Sequence, residues 1–155
     1  MKTIILILGL FPSIVFSQPK DSIVVYHGNG SFESRIIDLS NKNLSEVPSK
    51  AINFDVEVLI LDNNNIKELP NWMMNLKNLR CLSVRNNNLQ NVDKLMYCEN
   101  LEELYLSGNK RLFDLPSLAR CTKLRIVDVV DTRINDLPIS IRGMDKIGYF
   151  KYTSK

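Results

Sequence analysis

Four carboxylates are placed to do acid–base chemistry together: Asp38, Asp62, Glu103 and Asp128 recur in successive stretches of a 155-residue chain. One acting as acid and another as base is what a hydrolase would ask for. They fall in separate strands, however, with no cleft, histidine partner or metal cluster marked beside them. His27, the only histidine, stands in the turn-forming run His27-Gly28-Asn29-Gly30 and has no partner for a role as base or ligand. Cys81, Cys98 and Cys121 are too few for a four-cysteine zinc site. No catalysis, cofactor or metal is expected. The formal charge of +3 is mixed in sign along the chain, so no basic stripe exists to track phosphates, and nucleic acid is not an expected partner.

The elements that position these residues are copies of one stretch. From Val56 to Pro70 the chain reads Val-Glu-Val-Leu-Ile-Leu-Asp-Asn-Asn-Asn-Ile-Lys-Glu-Leu-Pro. With Val56 as position 1, apolar residues stand at 1, 4, 6, 11 and 14, a spacing of neither a long helix nor a hairpin. Leu59 and Leu61 are two apart and share one face of a short strand, while Val58 and Ile60 share the other. Position 6 then recurs as Leu39, Leu61, Val84, Leu106 and Val129, at steps of 22, 23, 22 and 23. Position 4 reads Ile37, Leu59, Leu82, Leu104 and Val127, and a sixth copy begins at Ile147. In the fourth copy the register slips by one after Asn109, so that Leu112 takes position 11.

This pattern, L-x-x-L-x-L-x-x-N-x-L with a Leu-Pro tail, resembles the leucine-rich repeat family, in its 22–23-residue form, from about Ser34 to Lys155. The resemblance implies an α/β right-handed solenoid, with one parallel strand per repeat on a concave face and short 3₁₀ or helical segments on the convex face. One repeat buries too few side chains to offset the ordering of its own backbone, so stability must come from stacking, and the end copies need caps.

Asn64, Asn87 and Asn109 occupy position 9, where a carboxamide can both donate to and accept from loop backbone, and they are expected to stack as a buried ladder. On that reading Asn87→Ala is costly and Asn86→Ala close to neutral. Cys98 and Cys121 fall in one convex column on neighbouring turns, where they are either a disulfide or two small buried apolar residues.

The chain divides into three parts. Residues 1–17 read as a secretory signal peptide: Lys2, then an apolar run from Ile4 to Phe16, too short to span a bilayer. Cleavage after Ser17 would leave an exported, periplasmic or secreted, chain with no stable membrane span. Residues 18–33 read as an N-terminal cap, and 34–155 as five repeats plus a terminal strand. Positions 3, 5 and 7 face outward on the concave wall, and there Ile36, Val58, Ile60, Tyr105, Ile126, Val130 and Tyr149 are apolar beside Arg85, Glu103 and Asp128. A wall meeting only water would be more polar. The expected role is a module that binds a protein or peptide through these residues. The alternatives are a structural or adhesive surface element and the remnant of a larger receptor.

Overall fold

The computed structural model describes residues 36–49, 55–136, 139–142 and 147–152, so the segments expected to be a signal peptide and an N-terminal cap lie outside the described residues. Within it, six short strands form one sheet in chain order: β1 (Ile36–Asp38), β2 (Val58–Ile60), β3 (Cys81–Ser83), β4 (Glu103–Tyr105), β5 (Ile126–Val129) and β6 (Tyr149–Tyr152). All neighbours are parallel, and each position pairs with the same position of the next copy: Ile37 with Leu59, Leu59 with Leu82, Leu82 with Leu104, Leu104 with Val127. The 22–23-residue period therefore becomes a register. Strands of three residues cannot stand alone, and the ladder runs on past them. Position 6 donates to position 5 of the next rung (Leu61 N–H to Ser83 C=O, 2.7 Å), and position 8 donates to position 7 (Asn63 N–H to Arg85 C=O, 2.9 Å).

The main core lies behind the sheet, where the columns of positions 1, 4, 6 and 11 close completely in the middle rungs: Leu59, Leu61, Ile66, Leu79, Leu82, Leu89, Leu104 and Leu106 have no exposure. At the ends the same columns loosen, with Leu44, Ile147 and Phe150 only partly buried. That gradient is what stacking without intrinsic rung stability produces. The return path opposite the sheet holds 3₁₀ segments at Asn71–Asn75 and Asp93–Tyr97 and a short α-helix, α1 (Ile139–Arg142). Residues 112–118 of the fourth rung form none. From Leu115 to Leu124 this rung has the same length of return path as the third has from Val92 to Leu101, yet only the turns Leu118 to Cys121 and Cys121 to Leu124 remain in it.

Asparagine stitches the rungs together. The Asn64 carboxamide N–H donates to Leu39 C=O and Leu61 C=O, both at 2.9 Å, and its oxygen accepts from Lys42 N–H and Leu44 N–H. Asn87 donates to Leu61 C=O and accepts from Ile66 N–H; Asn109 donates to Val84 C=O and Leu106 C=O and accepts from Leu89 N–H. Each side chain thus satisfies backbone of its own rung and of the one before it. Thr132, at the same position in the fifth copy, closes only its own turn, accepting from Ile134 N–H and donating to Val129 C=O.

Beside this ladder stands a second column. Position 8 is Asn41, Asn63, Asn86, Gly108 and Asp131, and all five have positive φ, from 52° to 78°. The left-handed conformation clashes with a Cβ, so the column is filled by glycine and by the short polar residues that tolerate it best. The expectation that Asn86→Ala is neutral is corrected by its φ of 52° and by the hydrogen bond from Asn86 Nδ2 to Asn63 Oδ1.

Asn87→Ala is expected to cost about 1–3 kcal/mol, because it leaves buried backbone groups without partners. Asn86→Ala should cost ~1–2 kcal/mol through the left-handed backbone, and Asn86→Gly clearly less. Urea unfolding of the three variants measures the order, and an Asn86→Gly chain no more stable than Asn86→Ala would overturn the conformational explanation.

Candidate binding surface

The strands' period of two sends positions 3 and 5 to the face of the sheet turned away from the main core, which is the concave wall expected from the repeat. That face is divided in two. Over β2 and β3 it is sealed by its own side chains: Val58, Ile60 and Cys81 form a small second core, with Ile36 of β1 and Tyr105 of β4 partly buried against it. Val58 and Ile60 therefore present little surface, although they stand where the sequence places them. Over β4 to β6 the face opens: Tyr105, Ile126, Asp128 and Val130 are partly exposed, and Tyr149 is 50% exposed.

Between the two halves runs a charged brace. Arg85 extends over the Tyr105 ring, 4.2 Å from guanidinium carbon to ring centre, with Asp62 on one side at 3.9 Å and Asp128 on the other at 4.0 Å. Asp62 is buried; its Oδ1 accepts from the Ser83 hydroxyl at 2.7 Å and from Arg85 N–H at 2.8 Å. Glu103, also buried, takes Arg125 at 2.6 Å and the Tyr105 hydroxyl at 2.9 Å. Burial, then the neighbouring Glu103 carboxylate, pushes the Tyr105 phenol upward, so that hydroxyl stays a donor. Burial also raises the Asp62 carboxyl, against the lowering effect of Ser83, the Arg85 amide and the Arg85 charge. These groups are engaged with each other as fixed struts, and they hold the Tyr105 ring in place.

Position 2, at the start of the strands, adds a column that sequence reasoning missed. Glu57, Arg80, Glu102 and Arg125 alternate in sign, with Arg80 reaching Glu57 at 3.7 Å and Glu102 at 2.8 Å, and Arg125 reaching Glu102 at 3.6 Å. Burial by itself would raise the Glu102 carboxyl, but the Arg80 hydrogen bond and the two guanidinium charges outweigh it, so the group titrates below its ordinary range. The signal was present as strict alternation of charge one residue after each position 1.

The three cysteines are free and buried. Cys98 and Cys121 each direct their thiol at a backbone carbonyl of the preceding rung, Met73 C=O at 3.7 Å and Leu95 C=O at 3.6 Å. Burial raises Cys98 to about 11 and Cys121 to about 12; burial and then the Glu103 charge raise Cys81 to about 12. Thiols so protonated are poor nucleophiles and poor metal ligands at neutral pH. Among the described residues no group of three or more His, Cys, Asp or Glu could hold a metal ion, and no helix is long and apolar enough to cross a membrane.

The in-register parallel strands, position-9 asparagines and closed leucine columns accompany two family matches: residues 55–110 fit a leucine rich repeat model and residues 100–121 fit a second. Residues 55–121 thus match leucine rich repeat models. No curated protein matches the chain by sequence. Among solved structures, the leucine-rich repeat fold here is similar to a leucine-rich repeat protein of Leptospira interrogans, at 24% identity and a TM-score of 0.64, over 76% of this chain and 36% of that one. Internalin C2 of Listeria monocytogenes is similar at 24% identity and a TM-score of 0.62, over 77% of this chain and 51% of that one. The chain thus spans at most about half of either protein, and at this identity the likeness is one of fold.

Two measurements check the local chemistry. Unfolded Asp62 titrates near 3.8 and the folded group higher. Between those values the folded chain keeps a proton that the unfolded chain has released, so raising the pH through the window lowers stability. Asp62→Asn should remove that fall, and urea midpoints of both chains that shift in parallel with pH would exclude the assignment. A thiol reagent at neutral pH should label no cysteine in the native chain and all three in urea without reductant. A single labelled thiol in urea would mean that Cys98 and Cys121 are bridged.

Proposed function

We propose that this protein is a binding module without catalytic activity that holds a protein or peptide partner on the outward sheet face, chiefly over β4 to β6. The observation that carries this reading is the division of that face: apolar side chains over β2 and β3 are already covered, while Tyr105, Ile126, Val130 and Tyr149 keep surface available on rigid strands. Aromatic and β-branched residues fixed in place by neighbours lose little freedom on binding, which favours them as anchors. Arg85 and Asp128 supply charge at the margin of the patch, where it selects partners more than it adds affinity. Ile36 would meet only the fringe of a bound chain, and Val58, Ile60 and Glu103 would support the surface from beneath.

The carboxylates of the face bear on catalysis as well. Glu103 is tied to Arg125 and Tyr105, and Asp62 to Ser83 and Arg85, an arrangement that suits bracing better than proton transfer to a substrate. The same reading takes residues 1–17 as a cleaved export signal and 18–33 as the cap of the first rung, which would put the partner in the periplasm, at the cell surface or in the medium.

Immobilised chain carrying Ile126→Asp and Tyr149→Asp should retain its unfolding midpoint and lose a crosslinked partner that the native chain captures from the producing cell's envelope or medium. Ile60→Asp should instead unfold the sheet, because it buries a charge in the small second core. Undiminished capture by the folded double variant would refute the assignment to this face.

A further inference from the structure

A second surface comes from the one irregular repeat. The residue inserted after Asn109 tightens the turn, with Lys110 N–H donating to Gly108 C=O and Leu112 N–H to Asn109 C=O. Leu112 still enters the core with no exposure, so Lys110 and Arg111 on one side of it and Phe113 on the other are all left exposed. Phe113 is 67% exposed, beyond any other large apolar side chain among the described residues. The next rung brings up another cation: Arg133 N–H donates to Leu112 C=O at 2.8 Å, which sets the exposed Arg133 against this segment. Position 10 of the earlier rungs carries neutral Asn43, Asn65 and Asn88, so the three cations belong to two rungs alone.

None of these cations is paired with a nearby described acid. Asp114 Oδ1 accepts from its own neighbour Leu115 N–H, Asp136 is paired with Arg142 at 2.6 Å, and no ion pair joins Lys110, Arg111 or Arg133 to a described carboxylate. We infer that the flank formed by Lys110, Arg111, Phe113 and Arg133 binds an acidic polypeptide segment carrying an apolar side chain, independently of the sheet face. Rungs stand about 5 Å apart, so two of them match the width of one extended chain. A sheet of anionic lipid fits less well, because a flat surface would also lie over the exposed Glu46 and Glu68 of the first two rungs, which one extended chain across the two cationic rungs does not meet.

The test is a fluorescence anisotropy titration with a labelled synthetic peptide of alternating Glu and Leu, its Lys-for-Glu counterpart, and phosphatidylserine vesicles. The native chain should bind the acidic peptide and not the basic one, with affinity falling as salt rises. Lys110→Glu combined with Arg111→Glu should weaken binding at least ~10-fold, Arg133→Glu and Phe113→Ser each several-fold, and circular dichroism should show all of them folded. Using Arg133→Glu and Phe113→Ser as separate variants keeps the outcome readable if the double variant misfolds. Equal binding by native and charge-reversed chains, absence of binding, or preference for the vesicles would each overturn the proposal.

Discussion

The buried carboxamides of Asn64, Asn87 and Asn109 are the constraint on which the rest depends. A three-residue strand followed by a tight turn leaves carbonyls and amides that the parallel ladder cannot reach, and burying them unpaired would cost about 1–3 kcal/mol each. A carboxamide is suited to this place because it offers a donor and an acceptor on one short rigid group. Each of the three is shared between successive rungs, so the stack is joined by polar bonds as well as by leucine packing. The left-handed turn residues one position earlier bend the chain so that the carboxamide can point inward.

With the rungs in register, chemistry of one kind accumulates in columns. Leucines fill one column behind the sheet and opposite charges alternate along another at its start, while Cys98 and Cys121 share one in the return path. A column of like charge would repel along its whole length; the alternation of Glu57, Arg80, Glu102 and Arg125 turns the same proximity into attraction. The outward face obeys the same logic. Arg85, lying over Tyr105 between two aspartates, separates a closed apolar half from an open one, so the open surface is held by contacts that are themselves internal.

Irregularity then has a location. The second and third rungs bury their position-11 residues Ile66 and Leu89, each preceded by a neutral asparagine, Asn65 and Asn88. The fourth, carrying one extra residue, buries Leu112 all the same and displays Phe113 and two cations instead. An insertion that preserves the core while changing the flank alters the surface without loss of the stack, as the quasi-one-dimensional architecture permits.

The amino-acid sequence by itself determined the period, the strand positions, the inward columns and the candidates for the outward face, since all of these follow from spacing along the chain. The solenoid fold was legible for the same reason. Only the tertiary structure decided which outward residues remain accessible: Ile60 and Tyr149 have equivalent patterns in their strands, yet one is sealed and the other half exposed. It also decided that Asn86 occupies a strained turn and that the Cys98 and Cys121 thiols face backbone carbonyls rather than each other. Accessibility and pairing depend on what is laid over a residue by a rung some 22 positions away, and local spacing carries no record of how far a side chain such as Tyr105 or Arg85 reaches across its neighbours.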